Sequence, residues 1–586
     1  MSEKIVRIGC ASAFWGDTRA AAPQLVGSGR VDYVVFDYLA EITMSILAAM
    51  RARAPDMGYA TDFVTVTMAE LVREIAERGI RVVSNAGGVN PRACAAAVRR
   101  LAAEAGVALE VAVVLGDDLM DRIGEPGFEG LPERTLSLNA YLGARPIARA
   151  LDQGADVIIT GRCVDSALVL GPLMHEFGWA DDDYDRLAAG SLAGHILECG
   201  AQATGGIHTD WRDVPGYDRI GFPIAECAAD GGFVVTKPED TGGLVTPATV
   251  GEQLLYEIGD PRAYLLPDVT CDFTAVTLEA EGEDRVRARG ARGRPPTDSY
   301  KASATYADGF RSVALFSLVG LEAAAKARKV ASAILERTRR MMAERGLGDY
   351  RAVEVQVLGS EDSYGPYARA KDPREVVVRI AVQHDDKRAL DIFSREIAPA
   401  GTGMAPGMSG FGEGRPKVRP VIRLRSLLVS KARVPIEIET DGGRTKVEVA
   451  ATGGFDPATL PPPEVPVDAP PSGPTVVVPL VKLAWGRSGD KGDDANIGII
   501  ARRPKYLPAI RRALGVEAVA AYFGHLLAGP VERYDLPGIN ALNFVLRRSL
   551  GGGGTASLRN DPQGKAYAQM LLDFPIEVPE SWGLGD

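Results

Sequence analysis

The stretch Arg81-Val82-Val83-Ser84-Asn85-Ala86-Gly87-Gly88-Val89-Asn90-Pro91 decides the fold of this chain. Its first half is a short apolar, β-branched run of the length expected for a strand buried on both faces. A polar exit with paired glycines follows. Asn90, a residue type favoured as an N-cap, then opens a helical stretch over 91–105. The same unit recurs on both sides. Strands are predicted at 5–10, 33–38, 109–115 and 157–160, and helices at 39–54, 63–78 and 136–153. This β-α-β-α order predicts an α/β fold with a doubly wound, mostly parallel sheet and right-handed crossovers.

In such sheets the ligand crevice lies at the carboxyl ends of the strands. The residues leaving those ends are Phe14-Trp15-Gly16-Asp17, Asp37-Tyr38-Leu39-Ala40-Glu41, Asn85-Ala86-Gly87-Gly88, Gly116-Asp117-Asp118 and Thr160-Gly161-Arg162-Cys163-Val164-Asp165. Helix capping accounts for Asn90 and Asp165 without any function. The polar character of all five exits points instead to a binding rim. We expect Asp17, Asp37, Glu41, Asn85, Gly87, Gly88 and Arg162 to hold substrate there, and the largest pocket to lie at this edge. Several carboxylates brought close repel one another unless a cation, Arg162 or Lys237 lies among them.

A chain of 586 residues exceeds what one core sustains. We expect an α/β domain over 1–455, with its parallel-sheet part at about 1–270 and a mixed, strand-rich part at about 271–455. Pro461-Pro462-Pro463 and Pro470-Pro471 mark a linker over 456–474. A small ferredoxin-like domain is predicted over 475–586. A net charge of −11 argues against nucleic-acid binding. No apolar run has the length of a membrane helix, and the start lacks a secretory signal. The six cysteines form no C-x-x-C pair, so a cytoplasmic protein is expected.

Further constellations carry chemistry. If 191–199 is helical, His195, Glu198 and Cys199 share one face, as metal ligands, as an acid/base pair, or simply as a packed helix surface. The zinc-protease pattern H-E-x-x-H is absent. Lys237, after the strand 233–236 and before Gly242-Gly243, is a candidate for an anion or a carbonyl oxygen, against the commoner surface lysine. The amides of Gly205-Gly206, with those of Gly87-Gly88, are candidate anion holders. Between two apolar strands, the segment Trp485-Gly486-Arg487-Ser488-Gly489-Asp490-Lys491-Gly492-Asp493-Asp494-Ala495-Asn496 reads as a loop. Its carboxylates suit a divalent cation and its Arg487 and Lys491 a carboxylate or phosphate, while a solvated hairpin needs neither. The glycine-rich run 401–414 fits neither G-x-G-x-x-G nor a P-loop, and the exit after 5–10 lacks a dinucleotide fingerprint.

Taken in order, the strand-exit motifs, Gly194-His195-Ile196-Leu197-Glu198-Cys199, Thr204-Gly205-Gly206 and Glu252-Gln253-Leu254-Leu255-Tyr256-Glu257 resemble the acyclic terpene utilisation protein A family, with its appended ferredoxin-fold domain. The resemblance covers nearly the whole chain. It implies a role in catabolism of citronellol- and geraniol-type compounds through branched acyl-CoA intermediates, with coenzyme A as part of the substrate. It transfers no catalytic residue. From the residues, the leading expectation is a hydratase or lyase acting on a branched acyl-CoA or related carboxylate. His195, Glu198 and Lys237 would be its catalytic groups, in a homo-oligomer. The alternative is a non-catalytic partner or scaffold of an acyl-CoA enzyme complex, for which the proline linker and separate small domain speak.

Overall fold

The computed structural model describes residues 4–370, 372–412, 414–450, 454–463, 466, 468–470 and 473–585, with only the backbone of Glu41. The strand Arg81–Ser84 sits near the middle of an eleven-stranded sheet. At its centre, Ile5–Cys10, Tyr33–Phe36, Arg81–Ser84, Val157–Thr160 and Val111–Leu115 run parallel, in that spatial order. Helices cover both faces. Ala69–Arg78 and Pro91–Ala105 bury Leu71, Ile75 and Val98 on one side. Arg145–Asp152, Ala167–Phe177 and Tyr184–Leu197 bury Ile147, Leu170 and Leu192 on the other. The helices after Arg81–Ser84 and Val157–Thr160 leave toward opposite faces, so a crevice opens between these two strand ends.

The predicted parallel strands are all present, but the sheet does not end with them. Ile224–Ala228, Phe233–Thr236, Arg285–Arg289 and Thr277–Gly282 extend one side with antiparallel pairing. Ile436–Thr440 and Gly443–Val447 extend the other beyond Val111–Leu115. The chain thus returns to its first sheet from the region we expected to form a separate mixed part.

A second sheet is organised by Ser299–Val319, a strand of 21 residues with a bulge between Ala307 and Phe310. Its first half pairs with Arg419–Ser430 and its second half with Glu375–His384. The helices Ala323–Ala343 and Lys387–Glu396 cover one face of the second half through Val330, Ile334 and Phe393. One prediction is corrected here. The helix expected over 136–153 is a strand, Thr135–Ala140, followed by the shorter helix Arg145–Asp152. Thr135-Leu136-Ser137-Leu138-Asn139-Ala140 alternates with period two, and pairing with Ser299–Val319 decides it.

The C-terminal unit is a four-stranded antiparallel sheet in the order Ala484–Lys491, Asp494–Ala501, Ala541–Leu546 and Val531–Leu536. The helices Leu507–Ala513, Val516–Tyr522 and Tyr567–Leu571 share its core. The segment Trp485–Asn496 is therefore not a loop. It is a β-hairpin whose tip is Gly492-Asp493, and its glycines bring it against the first domain.

Candidate functional site

The paired glycines of the deciding stretch let strand ends approach. A methyl group on Gly87 would collide with the Thr160 carbonyl oxygen across the crevice. The Gly88 amide donates to the Asn85 carbonyl at 3.2 Å. These glycines thus have a packing reason, independent of any anion. Around them the exits do converge. Asn85 donates to the Asp37 carboxylate at 2.7 Å and accepts from the Tyr38 amide at 2.8 Å. Asp117 accepts from the Arg162 amide at 2.8 Å and from Asn139 at 2.9 Å. The Arg162 guanidinium reaches Asp165 at 2.7 Å and lies over the Tyr141 ring. Burial raises Asp117 to about 7. Burial also lifts Asp37 well above the carboxylate range, helped by Asp165 and opposed by Arg162.

The helix Tyr184–Leu197 delivers His195 and Glu198 to the same rim. Gly194 permits this, since any side chain there would strike Ser166 at the start of the preceding helix. The His195 Nε2 lies 3.1 Å from the Leu254 carbonyl oxygen, which only accepts, so that nitrogen carries the hydrogen. Nδ1 then faces the Glu198 carboxyl at 3.2 Å. Burial raises the Glu198 carboxyl, against the pull of His195 and with the push of Asp165 and Glu257. The result is a buried imidazole facing a carboxyl, with the carboxyl the more open of the two.

The far wall comes from the C-terminal unit. Asn496 accepts from the Glu257 amide at 2.9 Å and donates to the Leu255 carbonyl at 2.6 Å. Asn543 donates to Ile258 and Gly259. These bonds hold Glu257 at φ +57°, a conformation unusual for a residue with a side chain. Lys565 contacts the Tyr256 hydroxyl and lies 3.4 Å from both Glu257 and Asp490. Lys491 sits 5.3 Å from the Tyr264 ring, which packs against His195. Burial and Glu257 keep the Tyr256 hydroxyl protonated at any ordinary pH.

The other expected residues are placed as follows. Asp17 accepts from Ala13 and Thr18 amides and lines a cavity of about 240 Å³ with Ser12, Tyr38 and Thr67. The Glu41 side chain lies outside the described residues. Three placements differ from expectation. Lys237 is committed to Asp284 at 2.9 Å and the Thr241 carbonyl. Arg487 is buried against Glu252 at 3.4 Å, Gln202 at 2.7 Å and the Gly206 carbonyl, tying the two domains together. Gly206 uses its amide on Ala201. Larger cavities than the one at Asp17 lie elsewhere, one of about 440 Å³ at Asp210 and Trp211 and one of about 450 Å³ at Met341 and Arg395. The C-terminal hairpin packs beside the cluster, with Gly489 against Tyr256 and Glu257 and Lys491 near the Tyr264 ring. Among the described residues no group of three or more His, Cys, Asp or Glu is arranged to hold a metal ion. Tyr256, Glu257 and Lys565 were not singled out from sequence. Tyr256-Glu257 closes a quoted motif, but nothing local to Lys565 signals its partners.

Two family models match the chain. Residues 6–440 match "Acyclic terpene utilisation family protein AtuA" and residues 478–577 match the "AtuA ferredoxin-like domain". The chain belongs to this family. No curated protein and no solved structure gives a match. Among the described residues no helix is long and apolar enough to cross a membrane.

Proposed function

We propose that this member of the acyclic terpene utilisation family is a hydratase or lyase acting on a branched-chain acyl-CoA or a related carboxylate. The observation that carries the proposal is the His195–Glu198 pair, an imidazole and a carboxyl 3.2 Å apart in a buried setting. Removal of a proton beside a carbonyl needs a base of this kind, and elevation of a carboxyl by burial brings it toward neutral pH. In the dehydration direction, Glu198 takes the proton from the carbon next to the thioester carbonyl. The C–H electrons become the new double bond as the neighbouring hydroxyl takes that same proton from Glu198 and leaves as water. The negative charge that develops on the carbonyl oxygen calls for a donor, and the Tyr256 hydroxyl beside Lys565 supplies one. Lys565 thereby takes the place first expected of Lys237.

The test is turnover of a panel of branched enoyl and hydroxyacyl thioesters, carried both on coenzyme A and on N-acetylcysteamine. Hydration or dehydration of any branched member supports the proposal. Absence of turnover on both carriers across the panel overturns it.

A further inference from the structure

One face of the second sheet is polar and positively charged. Arg311 lies directly opposite Arg419 on the neighbouring strand, a like-charge pair that opposes strand pairing. Arg379, two strands along from Arg419, faces Gln356. Arg311 and Arg379 are half-buried, and burial lowers both, with Arg419 adding to it at Arg311 and Arg311 adding to it at Arg379. Among the described residues, none of Arg311, Arg379, Arg419 and Arg559 has a carboxylate within ion-pair distance. Glu354 lies close enough to feel Arg559 and Arg379, and burial shifts it toward its neutral form. In a chain of net charge −11, an unpaired arginine cluster is out of character.

A glycine-tethered segment of the C-terminal unit lies over this face. Gln383 donates to the Ala556 carbonyl at 2.9 Å, Arg311 to that of Ser557 at 3.4 Å, and Arg379 to that of Leu558. Carbonyl dipoles satisfy part of the guanidinium groups but leave their charge uncompensated. Beside the segment lies a cavity of about 390 Å³ whose lining includes Arg559, Glu354, Gln356, Asp561 and Ala566. Its other lining charges are already engaged. Arg328 is paired with Asp362 at 2.7 Å, and Asp561 caps the amides of Lys565 and Ala566. The cavity therefore touches both Arg559 of the arginine face and Ala566, the residue next to Lys565.

We propose that the arginine face formed by Arg311, Arg379, Arg419 and Arg559, with its adjoining cavity, binds the phosphate groups of the substrate's coenzyme A carrier. This rests on the acyl-CoA reading above. The thioester end then points along the cavity toward Lys565, Tyr256 and Glu198. Guanidinium groups suit this role, because phosphate oxygens take paired N–H donors.

The experiment measures binding of coenzyme A to the full-length chain by calorimetry, for wild type, Arg419→Gln and Arg311→Gln. Arg419 is exposed, so its substitution leaves the fold intact, and melting curves check both variants. The expected result is binding that weakens about tenfold in each variant and falls steeply with salt. Adenosine diphosphate competing in the same arginine-dependent way also supports a phosphate site. Absence of coenzyme A binding, or equal affinity in wild type and Arg419→Gln, overturns it. Turnover of the N-acetylcysteamine thioesters, which carry no phosphate, reports on the reaction separately.

Discussion

Glu198 is the residue on which the chemistry turns, since it faces His195 and feels the nearby carboxylates Asp165 and Glu257. Glu198→Gln keeps the shape and removes the proton acceptor. Turnover of a branched hydroxyacyl thioester should fall by about 10²–10⁴-fold with little change in melting temperature. Asp117 gives a prediction about pH. Its carboxyl is raised to about 7 in the folded protein, so the folded state holds a proton that the unfolded chain releases near its ordinary value of 3.8. The wild type should therefore lose stability relative to Asp117→Asn as pH rises from about 4 to about 7, and the gap should level off above that. The full shift corresponds to on the order of 4 kcal/mol. Thermal melts of both proteins across that range decide it; a gap that is constant with pH would refute the burial argument.

Among the elements, the hairpin Ala484–Lys491 to Asp494–Ala501 does most to complete the site. Gly489 passes so close to the first domain that a Cβ would sit 2.5 Å from the Tyr256 ring and 2.9 Å from the Glu257 side chain. Gly489→Ala should lower stability by about 1–3 kcal/mol in urea unfolding and disturb the Tyr256–Lys565 contact. Unchanged unfolding would mean that the hairpin floats free of the first domain. The same elements explain what was legible in the sequence. Arg81–Ser84 and Pro91–Ala105 were readable because strand, capped turn and helix are all specified within a few residues. Thr135–Ala140 was not, because the partner that makes it a strand lies at Ala302–Tyr306. Trp485–Asn496 looked like a loop because its polar residues are buried against partners more than two hundred residues earlier, such as Glu252 for Arg487 and Leu255 for Asn496. Lys237 looked free for the same reason, since Asp284 is remote in sequence. The rim itself was legible in part: Asp37, Asn85 and Arg162 gather where parallel strands end, whereas the hairpin beside them is a long-range contact.

For the whole molecule, the order in which the sheets are stitched has its own cost. The parallel strand Val111–Leu115 finds its outer neighbour only in Ile436–Thr440. Chains stopped at residue 430 and at residue 450 both lack the C-terminal unit, but only the shorter leaves that strand edge bare. The shorter chain should pellet to a clearly greater extent on expression, and equal solubility of the two would show that the edge is not a hazard. The same stitching has a consequence for synthesis. About 320 residues separate the two strands, and a ribosome adds roughly 5–20 residues each second. The newborn protein must therefore shield an open sheet edge for roughly a quarter of a minute to a minute before its own chain supplies the cover. Slow translation, which helps many proteins to fold, would here prolong the exposure.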